Sequence, residues 1–167
     1  MPISSRRCMW SWVAGAVILW HLTGLGTVHS VWGAEARSSG QMVYVPVYSY
    51  IFIGDRAATF NLAATLSIRN IDPVHSIYVT AADYHDAAGR LAKKQIEKQV
   101  LLKPLASTEA FIAESDISGG LGASFIVRWK SDQPVVPPVV ECVMIGTRSG
   151  QGISFVSPGR VIQEHSK

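Results

Sequence analysis

The sequence predicts an all-β fold, a single antiparallel β-sandwich of seven to eight strands following an N-terminal signal peptide. Three observations carry this reading. "TFNLAATLSIRN" alternates strictly, with Phe60, Leu62, Ala64, Leu66 and Ile68 on one face and Thr59, Asn61, Thr65, Ser67 and Arg69 on the other. That is the period of a half-buried strand. Short β-rich runs then recur along the chain between glycine, proline and serine, the spacing of a sandwich. The first 20 residues, by contrast, follow a different pattern: Arg6 and Arg7 precede the apolar run "MWSWVAGAVILW".

In chain order, the N-terminal run reads as an export signal. His21 and Gly24 interrupt it before it reaches the ~20 apolar residues of a membrane span. Small residues in Ala34-Glu35-Ala36 place the expected cut before Arg37, with Val28-His29-Ser30 as a second option. "SRRCMW" partly resembles a twin-arginine signal. Cys8 precedes the apolar run instead of marking a cleavage site, which argues against a lipoprotein. The expected organisation is a signal peptide over 1–36, a linker over 37–41, the β-domain over 42–163 and a tail over 164–167.

Composition agrees with one globular domain: 167 residues, 48% hydrophobic and 16% charged. The formal charge of +3 falls to +2 once the signal's Arg6, Arg7 and Glu35 are removed. The basic stretch "GRLAKKQIEKQVLLK" lacks the interleaved aromatics of a single-strand nucleic-acid platform, so it reads as a solvated face and no nucleic acid is expected. Cys142 is the one cysteine left beyond the signal, so no intrachain disulfide is available to the exported chain.

In the first strand region, "MVYVPVYSYIFIG", Val43, Val45 and Val47 oppose Tyr44, Tyr48, Tyr50 and Phe52, and Pro46 restricts the segment to an edge, a bulge or a switch between sheets. "SIYVTAADYH" reads as a strand, and "DAAG" as a type I turn with Asp86 first and Gly89 fourth. A short helix is conceivable around Ala92–Gln99. Strands are expected at Lys98–Leu102, Glu109–Ala113, Ala123–Lys130, Val139–Thr147 and Gly152–Val156.

"VYVPVYSYI", "NLAATLSIRNIDP", "LKPLASTEAFIAESDISGGLGASFIVRW" and "VECVMIGTRSGQGISFVSPGRVI" together resemble an uncharacterised bacterial family of exported proteins, known only as domain of unknown function 3124. The resemblance implies no activity, substrate or binding residue. Separately, "DYHDAAGRL" followed by "KPLAST" and "AFIAE" is similar to small immunoglobulin-like bacterial domains, which implies an immunoglobulin-like sandwich.

No catalytic set is legible. There is no G-x-S-x-G elbow, and Cys142 shares a strand face with Val140 and Met144, the setting of an inert thiol. No cofactor is expected. Two metal readings stay open as alternatives: Asp83 with His85, two apart on one strand face, and Glu114 with Asp116 as calcium ligands. The glycine loop "SDISGGLGA" lacks P-loop spacing and leads into a strand, so Gly119, Gly120 and Gly122 read as a flexible turn. That loop and the first-strand tyrosines, Tyr48 and Tyr50, are the candidate interaction surface. The reading is therefore a non-enzymatic binding or interaction module, periplasmic or secreted, with an unknown protein or small ligand as partner and no membrane span once the signal is removed. The metal-dependent protein is the alternative and a hydrolase the third choice.

Overall fold

The computed structural model describes residues 36–165, so the expected signal, its final residue aside, lies outside the described residues. Among them there are twelve strands and no helix, and every pairing is antiparallel. No described helix is long and apolar enough to cross a membrane.

One sheet is built from β1 (Ser38–Val47), β5 (Ile77–His85), β6 (Leu91–Ile96), β7 (Val100–Leu102), β9 (Ala123–Val135) and β12 (Arg160–Glu164), in the order β12-β1-β9-β5, with β6 and β7 sharing the far edge of β5. The second has four strands in the order β11-β10-β4-β8: β4 (Ala63–Arg69), β8 (Ser107–Ile112), β10 (Val139–Arg148) and β11 (Gln151–Pro158). A ribbon of β2 (Tyr50–Ile53) and β3 (Ala58–Asn61) completes the fold.

The two sheets share one hydrophobic core. The alternation read in the sequence is the mechanism: Phe60, Leu62, Ala64, Leu66 and Ile68 are all buried, and so are Val43, Val45 and Val47 of β1 and Phe125, Val127 and Trp129 of β9. Each large apolar side chain so buried contributes roughly 1.5–3 kcal/mol.

β5 obeys the alternation only in halves. Ile77 and Val79 are buried, and so are Ala82 and Tyr84, although the two pairs differ in parity. A bulge reconciles them. Val79 pairs with Trp129 and Ala81 with the adjacent Arg128, leaving Thr80 as the extra residue. Its hydroxyl donates to the Arg128 carbonyl at 3.1 Å.

Several expectations need correction. The strands number twelve instead of seven or eight, because the first segment divides into β1 and β2, Leu62 separates β3 from β4, β6 forms where no strand was expected, and β12 follows the last expected strand. β1 begins at Ser38, inside the stretch expected to be a linker. The conceivable helix at Ala92–Gln99 is instead largely strand β6, whose Lys93 and Lys94 charge an edge, a pattern that opposes edge-to-edge association. Pro46 sits where β1 has run past its last partner in β12, the Tyr44–Arg160 pair, so its missing N–H costs no ladder bond on that side.

Candidate functional site

The glycine loop is docked, not free. Ser49 donates its amide to the Gly120 carbonyl at 3.0 Å, and Ala87 donates to the Gly119 carbonyl at 2.9 Å. The loop is thereby tied both to the exit of β1 and to the β5–β6 turn. Beneath it the Tyr84 hydroxyl and Ser49 Oγ share a hydrogen bond of 2.8 Å, both side chains being buried. Burial pushes the Tyr84 phenol above its ordinary pKa, against the opposing pull of the Ser49 bond. Gly119 and Gly120 thus serve different needs: Gly119 has no room for a Cβ against the Tyr84 ring, and Gly120 adopts φ +77°.

Asp116 is spent inside its own loop, its carboxylate accepting from the Ser118 amide at 3.1 Å and from the Ser118 hydroxyl. Glu114 borders a separate cleft of about 260 Å³ with Asn61, Thr147 and Arg148. Tyr48 packs edge-on against Phe155 and Tyr50 against Phe52, each pair with ring centroids 5.7 Å apart.

Asp83 and His85 do lie on one face, the outer face of the larger sheet. Asp83 pairs with Arg128 of the neighbouring strand, Oδ2 to Nη1 at 2.7 Å, while His85 Nδ1 lies 3.2 Å from the Asp83 carbonyl. Around this ion pair the bulge residues Thr80 and Ala81 present small side chains, and the face sinks into a groove. Two clefts make it up, of about 230 and 440 Å³, and both are lined by Thr80 and Arg128. Bulges of this kind re-aim side chains beside binding sites. Among the described residues no three His, Cys, Asp or Glu side chains gather to hold a metal ion.

A polar cluster not anticipated from the sequence sits in the β4–β5 loop. Asn70 donates to the carbonyls of His75, Leu102 and Lys103 at 2.8, 3.2 and 3.0 Å. Asp72 accepts from the amides of Val74, His75 and Val136 at 2.9, 2.8 and 3.1 Å and from Arg37 at 3.3 Å. The Val74 and His75 amides, foremost, hold the Asp72 carboxyl well below the usual carboxylate range. The cluster fastens loops together and is structural. Its signal was the polar–turn pattern "RNIDP", in which Asn and Asp bond nearby backbone.

The sequence matches the family described as Protein of unknown function (DUF3124) over residues 40–162. The chain belongs to the DUF3124 family. No curated protein matches it. Among solved structures, a protein titled Thermotoga maritima 1070 is similar at 14% identity with a TM-score of 0.44, over 75% of this chain and 97% of that one. In this DUF3124 member the matched stretch contains the glycine loop, the bulge, Asp83 and Arg128, while the groove residues Gln163 and His165 lie beyond it.

The chemistry available to this DUF3124 chain follows from burial. Cys142 is fully buried between Val140 and Met144, and burial pushes its thiol up to about 12, so the nucleophilic thiolate is suppressed. His75 is engaged by Asp72, its Nδ1 3.2 Å from Oδ1. Accessible, by contrast, are the charged, hydrogen-bonding surface at Arg128 and the separate cleft at Glu114 and Arg148.

Proposed function

We propose that this DUF3124 protein is an exported, non-enzymatic binding module with an immunoglobulin-like sandwich build, acting in the periplasm or outside the cell. The observation that carries the binding reading is the groove across the outer face of the larger sheet. It combines a fixed Asp83–Arg128 pair, a backbone bulge and flanking polar side chains on a rigid β-scaffold. Pre-formed concavities with a few convergent polar groups are the usual form of ligand sites. Export rests on the N-terminal pattern of Arg6, Arg7 and the apolar run that follows.

The test is a thermal-shift screen of the purified full-length chain against glycans, peptides and divalent cations, repeated with Ala81→Arg, which fills the groove. A ligand that raises the Tm of the parent but not of the variant supports the reading. Robust turnover of any substrate would overturn the non-enzymatic assignment. N-terminal sequencing of the periplasmic fraction should give Arg37 as the first residue. Retention of the whole chain in the cytoplasm would remove the exported part of the proposal.

A further inference from the structure

The smaller of the two clefts has a charge character of its own. It is bounded by Arg128, Lys130, Met42, Thr80, Gln163 and His165 and encloses about 230 Å³. The strand register brings these groups together from distant parts of the sequence. Gln163, Met42, Arg128 and Ala81 stand in one cross-strand row through β12, β1, β9 and β5, and Lys130 lies in a neighbouring row opposite Tyr78.

Two cations, an imidazole, two side-chain amides and a hydroxyl border this space, and no carboxylate does. The nearby acids are committed. Asp83 is bonded to Arg128, and Glu164 accepts from Gln41 at 2.7 Å and from Ser38 at 2.8 Å. The larger cleft differs, for there Lys94 and Arg128 share the lining with Asp83 and Glu97, so cations and anions balance.

Asp83 is mostly buried and takes Nη1 of Arg128, while the Arg128 side chain keeps 43% of its surface exposed. The carboxylate therefore works as a buttress. It fixes the guanidinium plane and leaves other N–H donors of the fork available, so little rotamer freedom remains to be lost on binding. Guanidinium forks match carboxylate and phosphate oxygens in geometry. Met42 supplies an apolar wall for a carbon skeleton.

We propose that this cleft binds a small organic anion whose oxyanion group is held by Arg128 and Lys130, with its body against Met42. This deepens the binding-module reading and rests on it. Three probes of nearly equal shape separate the headgroups: glucuronate, glucose 6-phosphate and neutral glucose, titrated calorimetrically into the purified full-length chain. At least one anion should bind about tenfold or more tightly than glucose, and raising NaCl from about 20 to about 200 mM should weaken it severalfold. The carboxylate and phosphate arms tell which oxyanion is preferred.

Lys130 and Gln163 are both exposed, so Lys130→Gln and Gln163→Glu should keep the fold, as checked by circular dichroism. Each should lower affinity for the anion by about threefold to fivefold, the scale of one exposed charge. Equal binding of all three probes, no binding of any, or anion binding unchanged in both variants would overturn the proposal. Because Ala81 lines the larger cleft, a neutral ligand whose effect is lost in Ala81→Arg while none of the three probes binds would overturn the proposal and leave the binding-module reading in place.

Discussion

Gly119 lies directly against the hydroxyl of Tyr84: a Cβ added there would overlap the phenol oxygen and come within 2.6 Å of Cζ and 2.7 Å of the Ala123 methyl. The glycine loop is thus a fitted cover over a buried tyrosine. Its side chain cannot retreat, since Tyr84 is fully buried, bonded to Ser49 and tilted against Phe125 with centroids 5.2 Å apart.

Gly119→Ala should therefore destabilise the protein by about 1–3 kcal/mol, the scale of core overpacking. Gly122→Ala is the matched control. Its Cβ would meet the Ala87 methyl at 3.4 Å, an ordinary contact, so its Tm should stay within a degree or two of the parent. Thermal melts of the two variants decide between a fitted loop and a merely flexible one, which would tolerate both.

Asp72 should make stability acid-sensitive. Its folded pKa lies below its unfolded value of about 4, so its contribution is complete above that pH and is lost as pH falls through the folded value. The parent Tm should decline as pH drops below about 4. Asp72→Asn should start lower at neutral pH, because it disturbs the bonds to Val74, His75 and Val136 and abolishes the ion pair with Arg37. It should also show a shallower acid limb. Parallel acid limbs in a melt series would show that other carboxylates govern the transition.

Cys142 sets an opposite, alkaline dependence. Its folded pKa of about 12 exceeds the ordinary 9, so its contribution is fully present below about pH 9 and is lost as pH rises toward about 12. The slope assigned to this one proton is at most about 1.4 kcal/mol per pH unit. Cys142→Ala should flatten the alkaline limb of a denaturant-melt series by that amount. The same burial predicts that a thiol reagent labels the parent only as fast as the core opens.

How far the sequence reaches is shown by β4 and β5 side by side. Through β3 and β4 the apolar residues keep one parity from Phe60 to Ile68, so reading every second residue identified the buried face without knowing its partner strands. In β5 the parity changes at Thr80, and nothing local marks the change, because the bulge arises from pairing with β9, some 45 positions away in the chain. The site divides in the same manner. That Asp83 and His85 share a face follows from the period of two; that Arg128 reaches Asp83 depends on a long-range register. Likewise, three glycines announce a turn, but the tyrosine that requires one of them lies 35 residues earlier, and the charged segment Ala92–Gln99 became a strand because β5 offered it an edge.

The bulge itself is open to a direct test by deleting Thr80. With the residue removed, β5 has a continuous period of two in which Ile77, Val79, Ala82 and Tyr84 all share one parity, so both pairs can still face the core and Asp83 and His85 stay on the outer face. The pairing of Val79 with Trp129 followed by Ala81 with Arg128 then becomes that of a regular ladder, and the pairs with β7 keep their register. What the deletion removes is the hydroxyl bond to the Arg128 carbonyl and the local bend of the strand, so the variant should still melt cooperatively, with a loss of about 1–3 kcal/mol. Thr80→Ala keeps the bulge and removes only the hydroxyl bond, so it should fold with a loss of about 1 kcal/mol. A deletion variant that loses its cooperative melt would show that the packing of β5 requires the bend as well as the parity change.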